Sequence, residues 1–202
     1  MRIGCILLAA GLSRRFGRNK LAEPVNGETL IRHTVRVYAS REFDVSVLVT
    51  NGDNLVVLET AAGRFDAVPI NPHPEQGISS SIRIGIQSLF LKAVEKGRIL
   101  DGVMFGVCDQ PGLSPDTVRK LTDVFGEHPD RIVAPVREDG KRGNPVIFPI
   151  GIVPELMELE GDRGGGAVIA KHPDLLLTVE TSAEELHDID TPEDIGPEGA
   201  ER

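Results

Sequence analysis

Seven residues near the N-terminus, Ile3 to Ala9, form an unbroken apolar run. A run of that length closed by small residues predicts a buried strand. It stops at Ala10-Gly11, where a backbone nearly free of side chain turns tightly and lets a ligand come close. Further strand-like stretches recur at Val45 to Thr50, Val68 to Ile70, Gly102 to Cys108, Ile132 to Val136, Val146 to Phe148 and Leu175 to Val179. Helical spacing fills the gaps. A helix started by Glu28-Thr29 would bury Leu30, Ile31, Thr34, Val35, Val37 and Tyr38. Leu55 to Ala62 reads as a helix closed by Gly63. Gly77 to Ser81 opens a longer helix reaching about Lys96. Pro115 to Phe125 reads as a helix with Ser114 as its cap and Pro115 at its first position. Shorter helices are expected around Pro154 to Leu159 and after Asp162.

Strand–helix alternation predicts an α/β fold with a mostly parallel sheet. Ligands in such sheets sit beyond the carboxyl ends of the strands. That rule gathers the loops after Ala9, Ile70 and Cys108 at one place. With 202 residues and no repeat or linker, the chain reads as one domain over residues 1–195, followed by a frayed tail at 196–202.

Charge narrows the partners. A net charge of -9 argues against nucleic acid or an anionic membrane as a partner, since both call for a broad basic surface. No apolar run approaches the roughly 20 residues of a membrane span. The N-terminus lacks the pattern of a signal peptide, so a cytoplasmic location is expected. Cys5 and Cys108 each sit in an apolar run, and no Cys/His metal spacing is present, so both read as buried free thiols.

Against this acidic background Arg14, Arg15, Arg18 and Lys20 stand out. A strand, a small-residue turn and a cationic loop together suit a polyphosphate, which backbone N–H groups and fixed charge can both address. An ordinary solvated loop is the alternative. A P-loop is ruled out, because five residues separate Gly11 from Gly17 and Leu21 follows Lys20. The dinucleotide Gly-x-Gly-x-x-Gly is absent too.

Four further stretches carry candidate chemistry. Asp109 follows a buried strand and precedes Gln110-Pro111, a good place to hold Mg²⁺, which prefers oxygen ligands and shares them with phosphates; a turn carboxylate is the plainer reading. Gly77 and the serines at 79–81 offer backbone and hydroxyl groups to a base or ribose, or simply cap a helix. Asp188 and Asp190 share one side of an extended segment, and either can join Asp109 at a metal; an acidic capped end is the alternative. Arg142-Gly-Asn144-Pro145 and Gly161-Asp162-Arg-Gly164-Gly-Gly166 suit a second substrate pocket or plain turns. His73 reads as a solvated loop residue, while His33, His128 and His172 carry no pattern.

In order along the chain, these stretches resemble the MobA-like nucleotidyltransferase family, above all its molybdenum cofactor cytidylyltransferase (MocA-like) branch. The matching residues are Leu8-Ala9-Ala10-Gly11-x-Ser13-x-Arg15-x-Gly17-x-x-Lys20-Leu21, then Asn71-Pro72 with Gly77, Ser81 and Gly85. Asp109-Gln110-Pro111, Gly143-x-Pro145-x-x-Phe148, Gly161-Asp162 and Asp188-Ile-Asp190-Thr-Pro-x-Asp194 complete the match. The guanylyltransferase branch usually has Leu-Ala-Gly-Gly where this chain has Leu8-Ala9-Ala10-Gly11, which favours cytidine.

The resemblance implies a Rossmann-like three-layer fold and Mg²⁺-dependent transfer of CMP from CTP to the terminal phosphate of molybdenum-bound molybdopterin, for a molybdenum hydroxylase client. It implies catalytic roles for Arg15, Lys20 and Asp109, and metal ligation by Asp109 and Asp190. It implies nucleotide contacts from Leu8, Ala9, Ala10, Gly11, Ser13, Asn71, Gly77 and Ser81. Guanylyl transfer, a sugar-phosphate-type acceptor and a non-catalytic cofactor carrier are the alternatives. Two positions depart from the family: Gly166 stands where an Arg is usual and Asn144 where a His is usual.

Overall fold

In chain order the elements are β1 (Ile3–Ala9), β2 (Pro24–Val25), β3 (Glu28–Thr29), α1 (Leu30–Ala39), β4 (Val45–Asn51), α2 (Leu55–Ala61) and β5 (Ile70–Asn71). They continue as α3 (Ile78–Glu95), β6 (Gly102–Val107), α4 (Pro115–Glu127), β7 (Ile132–Val136), β8 (Val146–Pro149), α5 (Val153–Met157), α6 (Gly166–Ile169) and β9 (Leu176–Glu180). The structure is a computed structural model, and it describes residues 1–39 and 43–195. The tail expected at 196–202 lies outside the described residues.

The apolar run at the N-terminus explains the centre of the sheet. Side chains alternate across a strand, so Cys5 and Leu7 of β1 enter one core while Ile6 enters the other. A strand buried on both faces is apolar at every position rather than at alternate ones. The seven strands lie in the order β5-β4-β1-β6-β8-β7-β9. β1 pairs parallel with β4 and β6, β4 with β5, and β7 with β9; β8 is antiparallel to both its neighbours. The sheet is therefore mostly parallel, as the alternation predicts.

Helices cover both faces. Val35 of α1, Val57 of α2 and Leu121 and Phe125 of α4 pack on the side of Cys5 and Leu7. Ile82, Ile86 and Leu89 of α3, Leu156 of α5 and Val168 of α6 pack on the side of Ile6. Ser114 caps α4 by accepting a hydrogen bond from the Thr117 amide at 3.1 Å. Both cysteines are free and buried, and burial pushes both thiols up, so each stays protonated at neutral pH. Among the described residues no helix is long and apolar enough to cross a membrane.

Two expectations need correction. Glu28-Thr29 does not start the first helix; it is the second strand of a small hairpin with Pro24–Val25. The turn is Asn26-Gly27, both at positive φ (52° and 85°), a pairing that favours tight hairpins. The stretch from Val68 to Ile70 is not a strand as a unit. The ladder holds only at Ile70–Asn71, because Pro69 has no N–H to donate and contributes only its carbonyl, to the Thr50 amide.

Gly85 sets how closely α3 approaches the sheet. A Cβ there would lie 2.7 Å from Ile6 Cγ2 and 3.1 Å from Val49 Cγ2, both on buried side chains. In an open helix alanine is worth about 1 kcal/mol over glycine. Overpacking a closed interface costs roughly 1–3 kcal/mol, so the clash wins. Gly85→Ala is expected to lower the midpoint of thermal or urea unfolding. A midpoint at or above the parent's would mean that the helix can move away from the sheet.

Candidate active site

β1 ends at Ala9, and the next ten residues wrap the carboxyl edge of the sheet. The Ala10 carbonyl accepts a hydrogen bond from Asn51 Nδ2 at 3.2 Å, which pins the loop to the end of β4. Ser13 adopts φ +49°, in the region that favours glycine, and its carbonyl accepts from the Phe16 and Gly17 amides. Asn19 then caps a short 3-10 turn by accepting from the Leu21 amide at 3.2 Å. Its Nδ2 donates to Asn54 Oδ1 at 2.8 Å. Anchored at both ends, the loop aims Lys20 inward.

The Lys20 ammonium donates to Asp109 Oδ2 at 2.7 Å and to the Ile189 carbonyl at 2.8 Å, and it lies 3.5 Å from Asp190 Oδ1. The pair is well shielded, with the Lys20 side chain 14% exposed and that of Asp109 21%. Arg15 approaches Asp190 Oδ2 at 3.0 Å from the solvent side, its side chain 74% exposed. Arg18 turns away. It forks onto Glu23 at 2.6 and 2.8 Å and lies over the Phe16 ring.

The C-terminal segment is tied to the end of β6. The Ile189 amide donates to the Asp109 carbonyl at 2.9 Å, and Gln110 Nε2 donates to Asp188 Oδ1 at 2.9 Å. Asp188 and Asp190, expected on one side, thus have different partners. Partial withdrawal from water, then the Asp109 charge, pushes the Asp188 carboxyl up. Asp194 Oδ2 accepts from the Thr191 amide at 2.7 Å, the Asp190 amide at 2.9 Å and Thr191 Oγ1 at 3.1 Å. Those amide donors hold the Asp194 carboxyl below its usual range.

The start of α3 forms the opposite wall. Asn71 is buried and donates through Nδ2 to Ser80 Oγ at 2.8 Å and Ser81 Oγ at 2.9 Å. Gly77 takes φ +92°, and a Cβ on it would lie 2.3 Å from the Gly161 carbonyl carbon. The Ser79 amide donates to the Gly161 carbonyl at 3.1 Å. The Gly161–Asp162 turn therefore seats directly on the start of α3, which only glycine at 77 allows.

These elements enclose a cleft of about 450 Å³. Leu8, Ala9, Ala10, Gly11, Ser13, Arg15, Lys20, Gly77, Ser81, Asp109 and Asp190 all border it. Asn71 does not; it acts from behind, through Ser81. Arg14 of the cationic loop and Asp162 of the stretch expected at a second pocket also border the cleft, as does Glu75, to which the sequence assigns no role. His73 is exposed, with Nδ1 3.2 Å from Glu75 Oε1. A smaller pocket of about 190 Å³ adjoins through Leu8, Ile78 and Val107. Asn144 and Gly164 to Gly166 line it, together with Phe105 and Phe148, whose rings meet edge to face at 5.9 Å.

Among the described residues no three His, Cys, Asp or Glu side chains gather as a self-sufficient metal site. Mg²⁺ does not require that, since it is commonly held by one or two carboxylates plus phosphates and water. Asp109 Oδ1 is buried with no hydrogen-bond partner, so the carboxylate keeps an unused acceptor. Asp109 and Asp190 therefore fit a divalent ion shared with a substrate.

Comparison with known proteins decides the family, because residues 5–175 match the MobA-like NTP transferase domain. The chain belongs to the MobA-like NTP transferase family. It is 30% identical to the purine catabolism protein PucB of Bacillus subtilis, over 94% of this chain and 92% of that one. It is 26% identical to the nicotine blue oxidoreductase of Paenarthrobacter nicotinovorans, over 93% and 92%. These near-full-length relatives and the motifs put it in the MocA-like branch. A molybdenum cofactor guanylyltransferase of Vibrio atlanticus is 29% identical over 78% and 75%. The crystal structure of Rv0371c from Mycobacterium tuberculosis superposes with a TM-score of 0.79 at 25% identity, covering 96% of each chain. The Rossmann-like nucleotidyltransferase fold expected from the motifs is thus the fold observed.

The Asp194 carboxylate makes a pH test. Its native pKa is lowered, so its contribution to stability is present above the unfolded value and lost as pH falls through the native one. Asp194→Asn is expected to lower the melting temperature at neutral pH, with the deficit closing in acid, where Asp194 itself is protonated. A deficit that stays constant with pH would assign the effect to shape rather than charge.

Proposed function

We propose that residues 1–195 act as one nucleotidyltransferase domain that moves CMP from CTP to the terminal phosphate of molybdenum-bound molybdopterin. The acceptor phosphate oxygen attacks the α-phosphorus, a new P–O–P link forms, and the bond to the β-phosphate breaks to release pyrophosphate. The observation that carries the reading is the Lys20–Asp109–Asp190 cluster at the carboxyl ends of β1 and β6, with the partnerless Asp109 Oδ1. Transfer of this kind calls for positioning and charge neutralisation rather than a protein nucleophile. Mg²⁺ on Asp109 and Asp190, when bound, supplies neutralisation between the phosphates.

This chain's own residues supply the rest. Arg15 and Lys20 neutralise charge on the triphosphate and on the departing pyrophosphate. Leu8, Ala9, Ala10, Gly11, Ser13 and Gly77 border the cleft as nucleotide contacts, and Ser81 borders it with its hydroxyl accepting from Asn71 Nδ2. The CTP preference rests on the resemblance, since the guanylyl branch usually has glycine where this chain has Ala10, a buried residue at the cleft wall. The adjoining pocket suits a planar ring. Among the described residues no charged side chain lines it, so it offers a sugar phosphate no partner for its charge. Guanylyl transfer stays as the second reading because of the guanylyltransferase relative. A cytoplasmic location and a molybdenum hydroxylase client go with the main reading.

A panel of CTP, GTP, ATP and UTP with molybdenum-loaded pterin tests the proposal. Pyrophosphate release is expected with CTP, dependent on Mg²⁺ and on the acceptor. Release with GTP alone would move the protein to the guanylyl branch, and release with a sugar phosphate in place of pterin would change the acceptor. Asp109→Asn is expected to lower kcat by about 100-fold or more, the scale of losing one electrostatic stabiliser. If that variant activates a client enzyme as well as the parent does, the protein is a carrier and not a catalyst.

A further inference from the structure

The two carboxylates suited to a divalent ion already hold a cation. Lys20 Nζ sits 2.7 Å from Asp109 Oδ2 and 3.5 Å from Asp190 Oδ1, and a third oxygen, the Ile189 carbonyl, lies at 2.8 Å. An ammonium has three N–H donors, and these three oxygens surround it. Arg15 reaches the other oxygen of Asp190 at 3.0 Å. Two side-chain charges, Lys20 and Arg15, thus face the acidic pair.

We infer that Lys20 is a built-in surrogate for the divalent ion, so that the metal binds well only after a nucleoside triphosphate draws Lys20 away from Asp109 and Asp190. The inference rests on the proposed reading of those two residues as metal ligands. A divalent ion arriving alone meets a fixed positive charge between its ligands. Lys20 is held in place by its shielding and by the Asn19 cap next to it. A triphosphate changes the balance, because its oxygens offer Lys20 and Arg15 alternative partners and leave the carboxylates for the metal. Arg15 is exposed to solvent, whereas Lys20 is shielded, so the exchange turns on Lys20. Metal and nucleotide then favour each other's binding by one reciprocal factor. Asp109 Oδ1, buried and unpartnered while Lys20 holds Oδ2, is the acceptor left over for the exchange.

The probe is Mn²⁺, with free ion measured by electron paramagnetic resonance on the full chain and no nucleotide present. Lys20→Met keeps the length of the side chain and removes its charge. It is expected to bind Mn²⁺ about tenfold tighter than the parent, within the usual range of coupling between sites. Adding the triphosphate should tighten Mn²⁺ binding to the parent by a similar factor and add little in the variant. The Lys20→Met, Asp109→Asn double variant should lose the gain, which locates the ion. Lys20→Gln is the second variant if Lys20→Met does not fold, with thermal melting as the check. Equal or weaker Mn²⁺ binding in the folded Lys20 variants overturns the inference, even where the parent turns over CTP. Failure of the nucleotide panel, by contrast, leaves the metal-only comparison intact and condemns the proposed reaction instead.

Discussion

One ammonium group is where three distant parts of the chain meet. Lys20 comes from the loop after β1, Asp109 from the end of β6, and Ile189 and Asp190 from the C-terminal segment. Asp188 lies close enough for Asp109 to raise its pKa. Carboxylates so near each other in a partly dehydrated place repel, and a cation with matching hydrogen bonds is what makes the arrangement stable. Lys20 thus braces the return of the chain across the carboxyl edge of the sheet, together with the Ile189 amide on the Asp109 carbonyl and Gln110 on Asp188. The Asp190 amide is held from the other side by Asp194.

The core reaches the same point from below. Thr34 of α1 donates to the Cys108 carbonyl at 3.3 Å, one residue before Asp109. Tyr38 of the same helix lies beneath β6, and a Cβ on Gly106 would come within 2.2 Å of its hydroxyl. Glycine at 106 is thus a packing requirement. It lets a helix ring sit against the strand that delivers Asp109. Helix α1, with no atom bordering the cleft, fixes the height of the site's central carboxylate.

How much of this could be read in the sequence follows from how local each cause is. The buried strand Ile3–Ala9, the small turn and the run of cations after it are local, and so is Asp109 at a strand end; that Lys20 points inward while Arg18 turns onto Glu23 is set by the fold. These stretches meet where the carboxyl-end rule puts them. The Asn26-Gly27 turn is equally local, but the helical periodicity from Leu30 onward masks the short strand Glu28–Thr29 that precedes it. The supporting asparagines are different. Asn19, Asn51 and Asn54 look like ordinary loop residues until the fold shows Asn51 holding the Ala10 carbonyl and Asn54 holding Asn19. Asn71 carried a family motif, but its position behind Ser81 needed the packing of β5 against α3. Period two gave Asp188 and Asp190 the same side; only Gln110, from another strand end, separates their partners.

The distribution of charge divides the site into two ends. Arg14, Arg15 and Lys20 stand with Asp109 and Asp190 along one side of the larger cleft. The adjoining pocket has Asn144, three glycines and a perpendicular phenylalanine pair. The first end sets Arg14, Arg15 and Lys20 against Glu75, Asp109, Asp162 and Asp190, so a polyanionic tail gains there from the placement of single cations rather than from a net positive field. An uncharged flat ring gains from the second end, where apolar surface is buried and one amide can orient it. The family's usual arginine would have placed charge at that second end. With Gly166 in its place, the second end stays uncharged beside a charged first end, and the two adjoin at Leu8, Ile78 and Val107.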